Sequence, residues 1–126
     1  METPITVIQV LLGVLFIGGG LFKLTQPYAK FVQLPFQGWA NDFKPGQIKL
    51  LGVLDVSGGV GLLVPLVLPS LAMLTPLAAV GIALYMAGAM ATHLRRSEYL
   101  NMVGNLVVFL VPALFVAYGR LIGFAI

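Results

Sequence analysis

The feature that most constrains this chain is a series of four apolar segments, each close to the length that a helix needs to cross a membrane. A helix rises about 1.5 Å per residue, so roughly 20 apolar residues span the hydrocarbon core of a bilayer. The segments run over about 4–24, 47–66, 70–92 and 101–118. We therefore predict one transmembrane domain over residues 1–126, an all-α transmembrane four-helix bundle.

Composition agrees with a membrane location for the whole chain. Hydrophobic residues make up 60% of it and charged residues 9%, and the mean hydropathy is +1.03, outside the range of soluble globular domains. The chain has a net charge of +3. In a membrane protein, such an excess of basic residues usually lies in the cytoplasmic loops. We expect contact with the lipid bilayer and no nucleic-acid partner.

Cysteine is absent from the chain. This absence excludes disulfides, thiolate metal sites and dithiol relays, so a redox role would need an electron carrier from elsewhere.

The connection over residues 25–46 differs from the apolar segments on either side. Aromatic rings anchor in the headgroup layer while charged groups stay in water. The connection mixes Lys and Asp with five aromatic residues, namely Tyr28, Phe31, Phe36, Trp39 and Phe43. We predict an interfacial aromatic linker between helices 1 and 2. Its simplest role is a cap on the bundle, and a lid over a site is the alternative.

The distribution of basic residues predicts the orientation. Six of the seven lie in or beside the first and third connections, whereas the middle hairpin carries none: Lys23, Lys30, Lys44, Lys49, Arg95 and Arg96. By the positive-inside rule, the connections between helices 1 and 2 and between helices 3 and 4 should face the cytoplasm, with both termini outside. We expect a multi-pass protein of the cell (inner) membrane.

The second apolar segment contains one carboxylate, Asp55, within LLGVLDVSGGVGLLVP. An acid near a helix centre costs about 2.5–3.5 kcal/mol on insertion scales, so another group must compensate it. Gly52 and Gly59 flank Asp55 at spacings of three and four, which places all three residues on one helix face. Because small residues mark the faces on which membrane helices pack, Asp55 is predicted to point into the bundle.

Basic residues at neighbouring segment ends are the expected partners of Asp55. Lys23 ends the first segment, Lys49 opens the second and His93 ends the third, all on one side of the membrane. We predict a polar cluster of Lys23, Asp55 and His93, with Lys49 as a secondary candidate. Two interpretations stay open: a buried pair that fixes helix register, or a functional site, the usual role of ionisable groups inside membranes. For His93 the alternative is a solvated position at the helix end.

Other polar and small residues give weaker indications. Asn101 and Asn105 share a helix face and, with Tyr85, are further secondary candidates, although hydrogen bonding between helices is the simpler role for the asparagines. One histidine and one inward aspartate do not make a metal site, so none is predicted. No catalytic motif can be identified. A stripe of four alanines spaced every four residues could pack against a second copy of the chain in a homo-oligomer. They are Ala79, Ala83, Ala87 and Ala91.

Three stretches, in order, resemble the DoxX-like family of small four-helix membrane proteins. GGGLFKL (18–24) resembles the family's glycine-then-lysine ending of helix 1, and LGVLDVSGGVGLLVP (51–65) resembles its acidic, glycine-rich helix 2. MAGAMATHLRRSE (86–98) resembles its helix 3, which has small residues and a terminal histidine. One departure is Asp55, because the helix 2 acid is commonly Glu in the family and Asp has a shorter reach.

The resemblance implies a four-helix membrane protein that works as part of an assembly with other proteins. Some relatives are similar to the small membrane subunit of a thiosulfate:quinone oxidoreductase, and others are tied to oxidative-stress assemblies. We expect an accessory subunit or binding module of a membrane redox assembly. It would hold a quinone-like or lipid-like molecule, or a partner membrane or redox protein, near Lys23, Asp55 and His93, without an intrinsic cofactor. The alternative is a membrane enzyme or proton-coupled permease in which Asp55 exchanges a proton.

Overall fold

The computed structural model describes the backbone of residues 2–125 and the side chains of residues 2–122. Every regular element in that range is helical. Shorter elements are 3-10 helices at Gly38–Asp42 and Pro69–Leu71 and a π-helical turn at Leu106–Leu110. The α-helices, in chain order, are α1 (Glu2–Thr25), α2 (Tyr28–Phe31), α3 (Pro45–Val67), α4 (Leu74–Arg95), α5 (Tyr99–Asn105) and α6 (Val111–Ala125).

Four stretches are long and apolar enough to cross a membrane, namely α1, α3, α4 and Tyr99–Ile122. The last stretch, here called the fourth span, comprises α5, the π-helical turn and most of α6. The prediction of an all-α bundle with four membrane-spanning helices is confirmed. Helix α1 packs mainly against α3, α3 also packs against α4, and α4 packs against the fourth span.

The two ends of the bundle differ in charge. At one end, here called the basic end, α1 and α4 finish and α3 and α5 begin, and six of the seven basic residues lie there. At the other end, the terminal end, lie residue 2, the last described turn of α6 and the hairpin between α3 and α4. The interfacial linker between α1 and α3, which contains α2, covers the basic end.

The third span begins at Leu74 and not at the predicted Ser70. The Leu68 N–H closes α3 by donating to the Val64 carbonyl, and Pro69–Leu71 then forms a 3-10 helix. A tighter 3-10 turn is a common connector where a chain must reverse direction in few residues. The hairpin therefore takes the residues that the apolar pattern assigns to the helix.

Glycines allow α1 and α3 to approach until their backbones touch. A Cβ atom placed on Gly20 would lie 2.6 Å from the Gly52 carbonyl oxygen, and one on Gly59 would lie 2.6 Å from the Gly13 oxygen. Neither distance leaves room for a methyl group. This contact is the membrane form of small-residue helix packing, and it fixes the register of Asp55 against α1.

Apolar side chains from all four spans meet in one core. Ala79 and Ala83 belong to it, whereas Ala87 and Ala91 are exposed. The alanine stripe is therefore divided between core and surface and does not form one face open to a second copy. The larger members of the core are Leu12, Phe16, Leu62, Ile82, Met86 and Val116.

The fourth span is widened by a π-helical turn just before Pro112. Proline has no N–H to donate to the carbonyl four residues earlier, and its ring collides with that carbonyl. In place of a simple kink at Pro112, the helix takes up one extra residue, and the Val111 N–H donates to the Leu106 carbonyl five residues back. Such π-turns occur frequently beside functional sites.

A polar network ties the four spans together at the terminal end. Gln9 is fully buried, and its amide donates to the Leu62 carbonyl at 2.6 Å and the Thr75 hydroxyl at 3.2 Å. Its oxygen accepts a hydrogen bond from Arg120 Nε at 2.9 Å, and Arg120 also pairs with Glu2 at 2.5 Å. The network is not apparent from the sequence, because Gln9 and Arg120 are 111 residues apart.

Gly59→Ala should destabilise the bundle, whereas Gly18→Ala should not. The new methyl group at 59 meets the backbone of α1, and overpacking of this kind costs about 1–3 kcal/mol. A Cβ on Gly18 meets nothing within 4 Å. The effect of each variant is measured as its free energy of unfolding in mixed detergent micelles. Equal stability of the two variants would contradict the close contact between α1 and α3.

Candidate functional site

Asp55 and Lys23 form an ion pair inside the bundle. Asp55 lies ten residues into α3, about 15 Å from its first residue, and is 3% exposed. Lys23 Nζ, from the last turn of α1, donates to Asp55 Oδ2. The other oxygen, Asp55 Oδ1, is buried and has no hydrogen-bond partner among the described residues. Lys23 therefore satisfies one oxygen of the carboxylate, and the other oxygen is left without a hydrogen-bond donor.

Two aromatic rings surround the ammonium group of Lys23. Nζ lies 6.0 Å from the centroid of the Trp39 ring and 5.9 Å from that of Tyr85, within the range of cation–π attraction. Tyr85 also lies beside Asp55, although its hydroxyl is not in hydrogen-bonding geometry with Oδ1. The ion pair is thus enclosed by rings from the linker and from α4.

Lys49 does not join this group. Its ammonium donates to three carbonyl oxygens at the end of α1, those of Lys23, Leu24 and Gln26, at 2.8–3.1 Å. Those carbonyls have no partner within the helix, and a lysine is a favourable group beside them. The proposal of Lys49 as a site residue is therefore corrected, because its charge caps a helix.

His93 is buried, and its ring is held by the residues that end α4. Ser97 adopts the left-handed conformation (φ 59°), the Ser97 N–H donates to the Leu94 carbonyl, and the Glu98 N–H donates to the His93 carbonyl. This is a Schellman motif. It turns the chain back so that Glu98 Oε1 lies 2.9 Å from His93 Nδ1. The solvated position considered for His93 is wrong, since the residue is 5% exposed.

Glu98 is held in its ionised form by its neighbours. Burial acts to raise the pKa of Glu98, but hydrogen bonds from His93 and Arg96 outweigh it and keep the pKa below 4.5. An ionised Glu98 can only accept, so Nδ1 carries the proton in this contact.

The linker is folded around its own aromatic cluster. The Tyr28 hydroxyl lies 2.6 Å from the Phe43 carbonyl and 3.1 Å from the Ala40 carbonyl. Trp39 packs edge-on against Phe31 and Phe43, with ring centroids 6.1 and 5.7 Å apart. The opposite edge of this cluster reaches His93, whose ring lies 6.1 Å from Trp39.

Polar contacts fasten the linker to the other connection at the basic end. Asp42 accepts hydrogen bonds from Arg96 at 2.7 Å and Arg95 at 3.3 Å. Asn101 donates to the Phe36 carbonyl at 2.8 Å. Phe36 has a φ of 65°, which is strained for a bulky residue, so the asparagine holds it in place. The linker caps the bundle and also forms a wall of the cavity described next.

A cavity of about 510 Å³ lies between α1, α4, the fourth span and the linker. Its inner wall holds the ion pair of Lys23 and Asp55. Aromatic walls are contributed by Phe16, Phe22, Phe31, Trp39 and Phe109, and further polar groups by Tyr85, His93, Asn101 and Asn105. All the predicted site residues except Lys49 thus line one cavity. Trp39, Phe16 and Phe109 cannot be recognised as site residues from the sequence, since their signals are those of interface and core.

The cavity opens sideways, between α1 and the fourth span. Its rim includes Leu15 and Phe22 from α1 and Leu100 and Val108 from the fourth span, all 40–69% exposed. At the terminal end the same two helices close on each other, where Ile5 meets Gly119. All four rim residues belong to spans that are long and apolar enough to cross a membrane.

A smaller cavity of about 270 Å³ lies on the other side of three shared residues, Trp39, Tyr85 and His93. It is bounded by small residues of α4, including Gly88 and Ala89. The three shared side chains therefore form a partition between two spaces, and the ion pair belongs to the larger one.

These features define a class, an integral membrane four-helix bundle with a polar cavity near its basic end. The chain belongs to the DoxX-like family, whose model matches residues 7–116. No curated protein and no solved structure shows a significant match.

Removing one member of the ion pair should cost more than removing both. Lys23→Met leaves a buried carboxylate uncompensated, and Asp55→Leu leaves a buried ammonium, each at a cost of about 3–5 kcal/mol. The double variant should recover most of that loss. Unfolding free energies in mixed micelles give the coupling energy, and strictly additive losses would show that the two groups do not interact.

Glu98→Gln should lower stability at neutral pH, and the difference from wild type should shrink in acid. The folded-state pKa of Glu98 lies below 4.5, so its contribution is complete above that value and is lost as the pH falls through the folded-state pKa. Thermal unfolding of the wild type and the variant, from neutral pH down through the folded-state pKa of Glu98, measures the difference in stability. A gap that stays constant down to the acid limit would contradict an ionised Glu98.

Proposed function

We propose that this DoxX-like protein is a small-ligand-binding module of the membrane that acts as an accessory subunit of a redox assembly. The ligand is a quinone-like or lipid-like amphiphile whose headgroup lies at Lys23, Asp55 and His93. The observation that carries the proposal is the 510 Å³ cavity with an ion pair at its inner wall and an opening toward lipid.

The size and lining of the cavity support a ligand of this class. Ligand pockets commonly occupy about 300–1,000 Å³ and combine apolar walls with a few convergent polar groups. Here the walls are largely aromatic, which suits the edge and face of a flat ring. The polar groups lie together at the basic end, so an amphiphile would bind with its headgroup there and its tail toward the rim.

The opening between α1 and the fourth span supports entry from the bilayer. Its rim is apolar, whereas the basic end is covered by the linker and its contacts to Arg95, Arg96 and Asn101. A molecule dissolved in the hydrocarbon layer therefore meets a shorter path than one dissolved in water. Under the positive-inside rule, the headgroup would lie in the cytoplasmic half of the membrane.

The chemistry of the side chains at the site supports an accessory role. Lysine, aspartate, histidine and asparagine can bind a ligand and exchange protons, but they do not carry electrons. Electrons would come from a partner membrane or redox protein. The family resemblance to a membrane subunit of an oxidoreductase agrees with this division of labour.

Gly19→Leu should abolish ligand binding, whereas Gly18→Leu should not. Gly19 lines the cavity and Gly18 does not. A Cβ atom placed on either glycine meets nothing within 4 Å, so a leucine fits at both positions without a backbone clash. Native mass spectrometry of gently extracted protein should show a bound small molecule in wild type and Gly18→Leu and none in Gly19→Leu. Equal occupancy in all three proteins would overturn the proposed location of the ligand.

A second candidate function is favoured by one observation, the buried and unpartnered Asp55 Oδ1 at the cavity wall. In an enzyme or proton-coupled permease this oxygen would take up and release a proton in each cycle. Calorimetric titration of the extracted amphiphile in two buffers of different ionisation enthalpy reports proton exchange. Buffer-dependent heats that disappear in Asp55→Asn, with binding retained, would favour this function over the binding module.

A further inference from the structure

We propose that the headgroup bound in the cavity is a hydroxylated aromatic ring of the hydroquinone class, and that the protein holds it in preference to the corresponding quinone. This inference rests on the proposed function and specifies the ligand of the same site. It is carried by the hydrogen-bond valences that the buried residues leave open.

The first open valence is Asp55 Oδ1. The residue is 3% exposed, Oδ2 is satisfied by Lys23, and Oδ1 has no partner among the described residues. A carboxylate oxygen accepts hydrogen bonds and cannot donate one. A buried acceptor without a donor is costly, so the ligand best suited to this position brings a donor.

The second set of open valences lies on Lys23. Its ammonium has three N–H donors, of which one is given to Asp55 Oδ2, and Lys23 lines the same cavity as Asp55. The site therefore offers a buried acceptor with a donor beside it. A hydroxyl group satisfies both, because it can donate to Oδ1 and accept from the ammonium.

A quinone is the wrong partner for this arrangement. Its carbonyl oxygens only accept, so they could take a hydrogen bond from Lys23 but would leave Asp55 Oδ1 without a donor. Reduction of the same ring converts both oxygens to hydroxyls, which donate. A cationic donor such as an amine headgroup is disfavoured because the Lys23 ammonium already lies against Asp55.

The walls select an aromatic headgroup over an aliphatic alcohol. Trp39 and Tyr85 both lie within about 6 Å of Lys23 Nζ, and Phe16 and Phe109 pack edge-on at 5.4 Å. Edges and faces of rings at these positions favour another ring by edge-to-face or offset contact. An aliphatic hydroxyl would satisfy the acceptor but would not use these walls.

The test compares three matched probes on the wild-type protein in bicelles kept free of oxygen: a decyl-substituted hydroquinone, its quinone and its dimethyl ether. Trp39 is the only tryptophan of the chain and lines the cavity, so its fluorescence reports occupancy of this site. The hydroquinone should bind at least about tenfold more tightly than the ether or the quinone, as expected for a hydrogen bond to a charged group.

Variants identify the acceptor. Asp55→Asn should lower the affinity for the hydroquinone about tenfold and leave that for the ether within about twofold, a difference that general loosening of the bundle would not produce. Ser57→Ala, an exposed position on the same helix, is the control and should leave all affinities unchanged.

Each other outcome overturns a defined part of the proposal. Equal affinities for the three probes, or tighter binding of the quinone, overturn the inference about hydroxyl donors while the proposed ligand-binding function stands. Decanol is added as a fourth probe, and an affinity equal to that of the hydroquinone would overturn the inference of an aromatic headgroup. No response to any probe, together with no small molecule in the native mass spectrum, overturns the binding function itself.

Discussion

The direct contact between the backbones of α1 and α3 is the constraint on which the rest of the structure depends. Gly20 and Gly52 bring the two helices so close that Lys23 reaches Asp55 across the interface. Without that approach, the carboxylate would lie in hydrocarbon with nothing to compensate it. The pair costs desolvation on both sides, and attraction between the two charges repays it only where the geometry is close.

The same contact decides where the cavity lies. Because α1 is held against α3, it cannot also close on the fourth span along its whole length. At the terminal end the two helices meet through Ile5 and Gly119, and the Gln9 network ties all four spans. Toward the basic end a space remains, beside the π-helical turn that precedes Pro112. One tight interface thus leaves another open, and the rim of the open one is apolar.

The linker closes this space at the basic end and brings polar and aromatic groups together there. Its ring cluster brings Trp39 against His93, while Asp42 and Phe36 are bound by Arg96 and Asn101, where α4 is followed by the fourth span. His93 itself is oriented by Glu98 through the turn that ends α4. The polar groups at the basic end are therefore positioned by the two connections there as well as by the helices.

The sequence by itself determined the four membrane-spanning helices and the inward face of Asp55, because hydrophobic length and small-residue spacing are local properties that a bilayer enforces. It predicted a basic partner for Asp55 among Lys23, Lys49 and His93, and the structure decided for Lys23. The sequence could also suggest His93 and the asparagines, since polar residues in apolar segments are conspicuous. Only the tertiary structure decided that Lys49 caps a helix, that Trp39 forms a cavity wall, and that Gln9 meets Arg120. It also decided that one oxygen of Asp55 is left open. These facts depend on which side chains meet across helices and connections, and the pattern along one segment does not contain that information.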